Sequence, residues 1–287
     1  MNKTRTHIVL ELSSPMRLQE YGVGIFDEIG TKSALKKILK KQYIKVNDIV
    51  ATSATFIQEG DRISLEISNE VKFKRKLIFP LKVLFEDDYL AVIHKPAGIL
   101  VSGNSFKTIT NALVQNLEES KLSDEITPQP VHRLDYATTG LLLIGKTSSS
   151  IRRLNKLFEN KEVAKTYYAV TIGEMDTKGI INSEIDGKKA CSNFILQKTV
   201  PSKRFGKLNL VKLEPKTGRR HQLRKHLSGI GTPILGDKDY GIKDLILNGK
   251  GMYLHAFSLK FMHPFTKEAM HVVDDFPYRF KKIFNHL

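Results

Sequence analysis

Cysteine is almost missing from this chain. Cys191 is the single one among 287 residues, so an internal disulfide is excluded, and the composition suits a reducing compartment such as the cytoplasm. Long apolar runs are missing too. No stretch approaches the roughly 20 residues that a membrane-spanning helix needs. Near the N-terminus, Ile8-Val9-Leu10 is cut short by Glu11, too early for the core of a secretory signal. The expectation is a cytoplasmic protein without a membrane partner. There is no internal repeat, no low-complexity tract and no cysteine–histidine ligand pattern, so no metal site is expected. Acids are scarce relative to bases: 30 Asp and Glu stand against 46 Lys and Arg, a net charge of +16. An excess of that size calls for a polyanionic partner. It also opposes self-association, which points to a monomer. A hydrophobic content of 41% is ample for a packed core.

The remaining features gather around Val131-His132-Arg133-Leu134-Asp135-Tyr136-Ala137-Thr138-Thr139-Gly140-Leu141-Leu142-Leu143-Ile144. The run Gly140 to Ile144 is short and aliphatic and reads as a buried strand. Asp135 therefore lies on a loop entering a core strand, a support that holds a carboxylate rigidly with one side open. Taken alone, it also reads as a turn aspartate bonded to its own backbone. Downstream, Lys165 to Thr171 reads as a strand carrying Tyr167 and Tyr168, which by alternation face opposite sides. Thr217-Gly218-Arg219-Arg220-His221-Gln222-Leu223-Arg224 reads as the opening of a helix. His221 and Arg224 would then share a face, as would Arg220 and Arg224. A cationic helix start can simply bind phosphate, and a His221/His226 metal pair has the wrong spacing for one face.

His-Arg-Leu-Asp followed by Thr-Thr-Gly-Leu-Leu-Leu closely resembles the central motif of the RluA family of pseudouridine synthases, with Thr139 where that family usually carries serine. Lys165-Thr166-Tyr167-Tyr168-Ala169, Thr217 to Arg224, and Gly236-Asp237 with Tyr240-Gly241 extend the resemblance from about Phe79 to the C-terminus. The resemblance implies an α+β fold: a mixed, largely antiparallel sheet forming the catalytic domain, preceded by a small RNA-binding domain. It implies Asp135 as the catalytic carboxylate, acting as nucleophile or as base, and selects Tyr167 over Tyr168 for the uracil. A carboxylate shielded from water stays charged only beside a cation. The resemblance gives that part to Arg224, with Arg219 as the alternative. His132, Arg133, Thr138, Arg219, His221 and Leu223 are expected to bind substrate. The isomerisation is redox-neutral and adds no atoms, so no cofactor is expected.

Nearer the N-terminus, Ala34, Leu35, Ile38 and Leu39 fall on one helical face, with Lys36, Lys37, Lys40 and Lys41 beside them. With Arg17-Leu18, Val46-Asn47 and Gly60-Asp61, this order resembles the αL RNA-binding module first seen in a small-subunit ribosomal protein. Arg17 and the four lysines would meet phosphates. The expected organisation is a leading segment over 1–15 with a strand at Ile8 to Leu12, the module over 16–68, a basic linker over 69–79 and the catalytic domain over 80–287. The Asp124 to Pro130 stretch reads as a proline-bearing loop, and Thr110 to Glu119 as a helix. The expected activity is conversion of specific uridines to pseudouridine in RNA, with large-subunit ribosomal RNA ahead of transfer RNA. A non-catalytic RNA-binding or ribosome-assembly factor is the rival. A metal-dependent nuclease lacks the clustered carboxylates.

Overall fold

The computed structural model describes residues 3–10, 12, 14–26, 29, 32–67, 77–247, 249 and 251–285. The chain divides into two compact units, Met1–Arg75 and Lys76–Leu287. Lys72, Lys74, Arg75 and Lys76 of the expected linker lie outside the described residues. Among the described residues, no helix is long and apolar enough to cross a membrane.

The first unit contains β1 (Lys3–Ile8), β2 (Met16–Arg17), α1 (Leu18–Tyr21), α2 (Lys32–Lys40), β3 (Ile44–Val46), β4 (Ile49–Val50), β5 (Phe56–Ile57) and β6 (Arg62–Ile67). Four of these strands form one sheet in the order β1-β6-β3-β4. The first strand thus starts and ends earlier than the expected Ile8 to Leu12. It pairs with β6 from Lys3↔Ile67 to Ile8↔Arg62. The Gly60-Asp61 turn leads into β6, and the backbone pairing runs on past Ile8: the Val9 amide donates to the Asp61 carbonyl and the Gly60 amide to that of Val9. The leading segment is therefore part of this unit's own sheet. Leu35 and Leu39 of α2 join Leu18, Ile44, Ile63 and Leu65 in the core, while Lys36, Lys37, Lys40 and Lys41 are exposed. The amphipathic pattern supplies the burial that a helix this short needs.

The second unit holds β7 (Val83–Glu86), β8 (Leu90–Lys95), α3 (Ile109–Leu113), β9 (Glu125–Pro130), β10 (Thr139–Thr147), α4 (Ser148–Glu159), β11 (Ala164–Ile172), β12 (Lys178–Ile181), β13 (Ser192–Ser202), β14 (Gly206–Pro215), α5 (Gln222–Gly229), β15 (Leu254–Met262), β16 (Ala269–Val273) and α6 (Tyr278–Lys281). Its sheet is 10-stranded, ordered β12-β13-β14-β11-β15-β10-β8-β7, with β16 on β15 and β9 on β10. β10 and β15 run parallel, and the other paired strands are antiparallel. This is the mixed, largely antiparallel α+β architecture expected.

β10 is buried along its whole length because both faces are covered. Leu142 and Ile144 pack with Ile109 and Leu113 of α3, whereas Leu141 and Leu143 pack with Leu154 of α4. Thr147 caps α4 in a reciprocal bond with Ser150. Two expectations are corrected here. The helix expected from Thr110 to Glu119 is confined to the single turn-and-a-half of α3. The proline-bearing loop is instead strand β9, paired to β10 from Glu125 to Pro130. Pro128 and Pro130 fit there because β9 bonds through one edge only.

Candidate active site

Asp135 sits where the chain passes from β9 into β10, on a cleft of about 1030 Å³ formed wholly within the second unit. Its loop is fastened from behind. Lys95, at the end of β8, is fully buried, and its ammonium donates to the carbonyls of Pro96 (3.0 Å), Tyr136 (3.3 Å) and Thr138 (2.8 Å). The Gly98 amide donates to the Tyr136 carbonyl, and the Thr138 amide to that of Asp135. Burial lowers the Lys95 pKa to about 8, opposed by the charge of Asp135. Sequence reasoning missed Lys95, since a lysine closing an apolar strand reads as a solvent-facing end. Its one signal was its place directly before the Pro96-Ala97-Gly98 turn.

Facing Asp135 is Arg224, on α5. Its Nη1 lies 3.7 Å from Asp135 Oδ2. The rest of its fork is occupied: Asp237 accepts from Nε at 2.7 Å and Nη2 at 2.6 Å, and Asp239 accepts from Nη2 at 2.6 Å. Burial alone would lower the guanidinium pKa, but the bonds to Asp237 and Asp239 outweigh it and the value is raised. A buried, bidentate carboxylate partner thus fixes the fork and leaves Nη1 for Asp135. Asp237 also accepts from the amides of Asp239 and Tyr240. That tight turn requires Gly241, where a Cβ would come within 2.2 Å of the Asp237 carbonyl oxygen.

His221 approaches from the same side, Nε2 lying 3.7 Å from Asp135 Oδ1 and Nδ1 lying 3.0 Å from the Tyr240 hydroxyl. It does not belong to the helix as expected. α5 begins at Gln222, and His221 is its cap in the left-handed conformation, φ 55°, a strained backbone typical of functional positions. Arg219 and Arg220 therefore precede the helix. The Arg219 side chain bonds to the Lys189 carbonyl at 3.1 Å, so the alternative partner for Asp135 is turned elsewhere, though Arg219 remains in the cleft lining. Burial lowers the His221 pKa, and the charge of Asp135 opposes this.

Tyr167 lines the cleft, while Tyr168 packs edge-on against Phe257 and Phe276 on the far side. Burial, then the nearby Asp135 charge, raise the Tyr167 phenol. Leu223 is buried in the cleft wall. Thr138 also lines it, and its hydroxyl oxygen is buried without a hydrogen-bond partner. Arg133 is exposed at the cleft. His132, expected to bind substrate, lines the cleft but is engaged by the protein's own backbone. Its Nε2 accepts from the Leu143 amide at 3.0 Å, and its ring packs 4.9 Å from that of Phe158. Burial, then the charge of Lys165, lower its pKa to about 3. It is a neutral ring that fixes the loop, and a neutral ring does not attract phosphate. Arg17, Lys36, Lys37, Lys40 and Lys41 belong to the first unit and line no part of this cleft. Among the described residues, no group of three or more His, Cys, Asp or Glu side chains is arranged to hold a metal ion.

A sequence profile of the RNA pseudouridylate synthases matches residues 89–229. Over 282 residues the chain is 32% identical to the ribosomal large subunit pseudouridine synthase C of Rickettsia felis, covering 87% of this chain and 90% of that protein. The chain belongs to the RNA pseudouridine synthase family. It is 32% identical to the ribosomal large subunit pseudouridine synthase D of Borreliella burgdorferi over 297 residues, covering 92% of this chain and 87% of the relative. Among solved structures, human RNA pseudouridylate synthase domain containing 4 superposes with a TM-score of 0.55 at 25% identity, over 69% of this chain and 90% of that one. Human domain containing 1 has the same TM-score at 23% identity, over 68% of this chain and 83% of its own, and shares the fold. As a pseudouridine synthase, the chain is an isomerase that acts on uridine in RNA, and the RluA-type reading of its central motif is borne out.

Proposed function

We propose that this synthase acts on ribosomal RNA of the large subunit, as a cytoplasmic monomer, with Asp135 as the reacting carboxylate. The substrate class rests on the relatives, which are named for large-subunit ribosomal RNA, and on the net charge of +16. The carboxylate's role rests on one observation: Asp135 lies in the cleft with Arg224 and His221 each 3.7 Å away.

In the reaction the N1–C1′ bond breaks, the C5–C1′ bond forms, a proton leaves C5 and a proton joins N1. Asp135 either attacks C1′ or removes a ribose proton; both need a carboxylate oxygen held towards the ribose, and Arg224 Nη1, 3.7 Å from Oδ2, helps to position it. The target uridine has to leave its stack, costing a few kcal/mol. Stacking on the Tyr167 ring can return about 1–3 kcal/mol of that. With its pKa raised, Tyr167 keeps its proton near neutrality and serves the uracil as a ring face and hydrogen-bond donor. Leu223 supplies an apolar wall, and the orphan Thr138 hydroxyl offers a bond to the nucleotide. Arg133 either holds a phosphate or fills the space that the uridine vacates. Arg17 and the α2 lysines of the first unit add sequence-tolerant, salt-sensitive contacts to RNA.

The test is tritium release from ribosomal and transfer RNA transcripts labelled at C5 of uridine. Wild type is expected to release label from large-subunit RNA, and Asp135→Asn to be slower by about 10³-fold or more. Equal release by the two proteins would remove Asp135 from the chemistry. Release from transfer RNA alone would move the substrate.

A further inference from the structure

Lys165 is a partly buried cation in the cleft wall to which no carboxylate among the described residues is paired. It lies near the start of β11, partly buried, in the same lining as His132, Asp135 and Tyr167. Among the described residues its ammonium has no hydrogen bond and no ion pair; its recorded contact is the Phe158 ring, 5.9 Å from Nζ to the centroid. The neighbouring carboxylates do not serve it. Glu214 is held by Lys212 at 2.8 Å, with Lys216 at 3.8 Å. Asp135 faces Arg224 and His221. Glu159 lines the same cleft without an ion pair to Lys165. Burial lowers the Lys165 pKa, and its charge helps to keep His132 neutral. A half-dry ammonium with no anion is a costly arrangement unless a ligand completes it.

We propose that Lys165 binds a backbone phosphate of the RNA strand whose uridine is held at Asp135. This rests on the reading of Asp135 given above, and it names the chemical group that the cleft wall receives. A compact ammonium on a flexible stem suits a phosphodiester oxygen, which it meets as a point charge. Extruding a nucleotide leaves its flanking phosphates as the groups by which the protein can keep the strand in place. A cation reserved for one of them inside the cleft would fix the ribose against the carboxylate. Lys212 already has a carboxylate partner and is the poorer candidate.

The test uses the full chain and a single-stranded oligouridylate of about ten nucleotides, with affinity followed by fluorescence anisotropy as potassium chloride is raised. For single strands, each phosphate neutralised contributes about −0.7 to the slope of log affinity on log salt. Lys165→Met is expected to flatten the slope by about 0.7 and to weaken binding about fivefold at 0.1 M salt. Lys165→Arg should keep the wild-type slope. Lys165→Gln, which retains polarity and length, should match Lys165→Met and covers the event that the methionine variant misfolds. Parallel salt lines for wild type and the uncharged variants would overturn the proposal, because a bond to a neutral uracil oxygen weakens binding equally at all salts. Failure of the Asp135 reading shows separately, as wild type that binds the oligonucleotide yet releases no tritium from labelled RNA.

Discussion

As pH rises through about 8, Lys95 loses its proton and the charge behind the Asp135 loop disappears. Its folded pKa lies below the unfolded value of 10.5. Between those limits the unfolded chain binds more protons, so folding stability rises with pH across that window. The gain is about 3 kcal/mol in all, taking about 1.4 kcal/mol per unit. Turnover is expected to move the other way. A neutral amine has two N–H groups for the three carbonyls that the ammonium holds, so the Asp135 loop loosens and kcat should fall with a midpoint near 8 while urea midpoints increase. A rate that stays level from about pH 7 to 9.5 in the RNA tritium assay would exclude this role for Lys95. Asp237 makes the second residue-level prediction. Its carboxylate is fully buried against Arg224. Asp237→Ala should lower stability by about 3–5 kcal/mol in urea unfolding, the usual cost of leaving one buried charge without its partner. At this scale the sequence was informative wherever a residue type has one chemical use. Asp135, Arg224 and Tyr167 could be named from their motifs and do share one cleft. Lys95 and Asp237 could not be assigned roles, because their importance comes from three backbone carbonyls and a guanidinium fork that folding brings to them.

Among the elements, β10 carries the most constraint. At Gly140 it meets β15 so closely that a Cβ would lie 2.2 Å from the Ala256 carbonyl oxygen, and φ there is +112°. Gly140→Ala combines a steric clash with backbone strain and is expected to cost about 2–4 kcal/mol. It should also reduce turnover, since Asp135 is on the same strand's leading loop; a thermal midpoint within a degree of wild type would refute the assignment. The unbroken aliphatic run made β10 readable, and periodicity made α2 readable through its apolar face of regular spacing. It failed at β9, where two prolines disguise an edge strand, and at α5. Nothing in Thr217 to His221 forbids helix, yet His221 takes a left-handed cap that turns its ring to Asp135. Helix starts are set by which backbone amides find partners, and here Gln222 receives the Arg219 amide on its side chain.

At the scale of the molecule, composition foresaw a basic protein with a polyanionic partner, and the RNA substrate of the family fits that. The division between the units, at Arg75 and Lys76, falls within the lysine-rich stretch before Phe79. The order of strands in the large sheet was not readable in the sequence, because it depends on pairings between residues 89 and 116 positions apart, for which local patterns carry no signal. Thr139 pairs with His255, and Tyr167 pairs with Ala256. β15, late in the chain, lies between β10 and β11 and joins the halves of the sheet that carry Asp135 and Tyr167.

That insertion sets a schedule for biosynthesis. A chain leaving the ribosome at about 5–20 residues per second has made β10, β11 and even α5 before β15 exists. Until then the Asp135 strand and the Tyr167 strand have no shared neighbour to hold them edge to edge. The nascent protein carries two unfinished sheet edges, open to mispairing, and no assembled site. Activity is thereby withheld until the last strands are in place, and the late segment from Leu254 to Val273 is where a folding defect would silence the enzyme without altering Asp135, Tyr167 or Arg224.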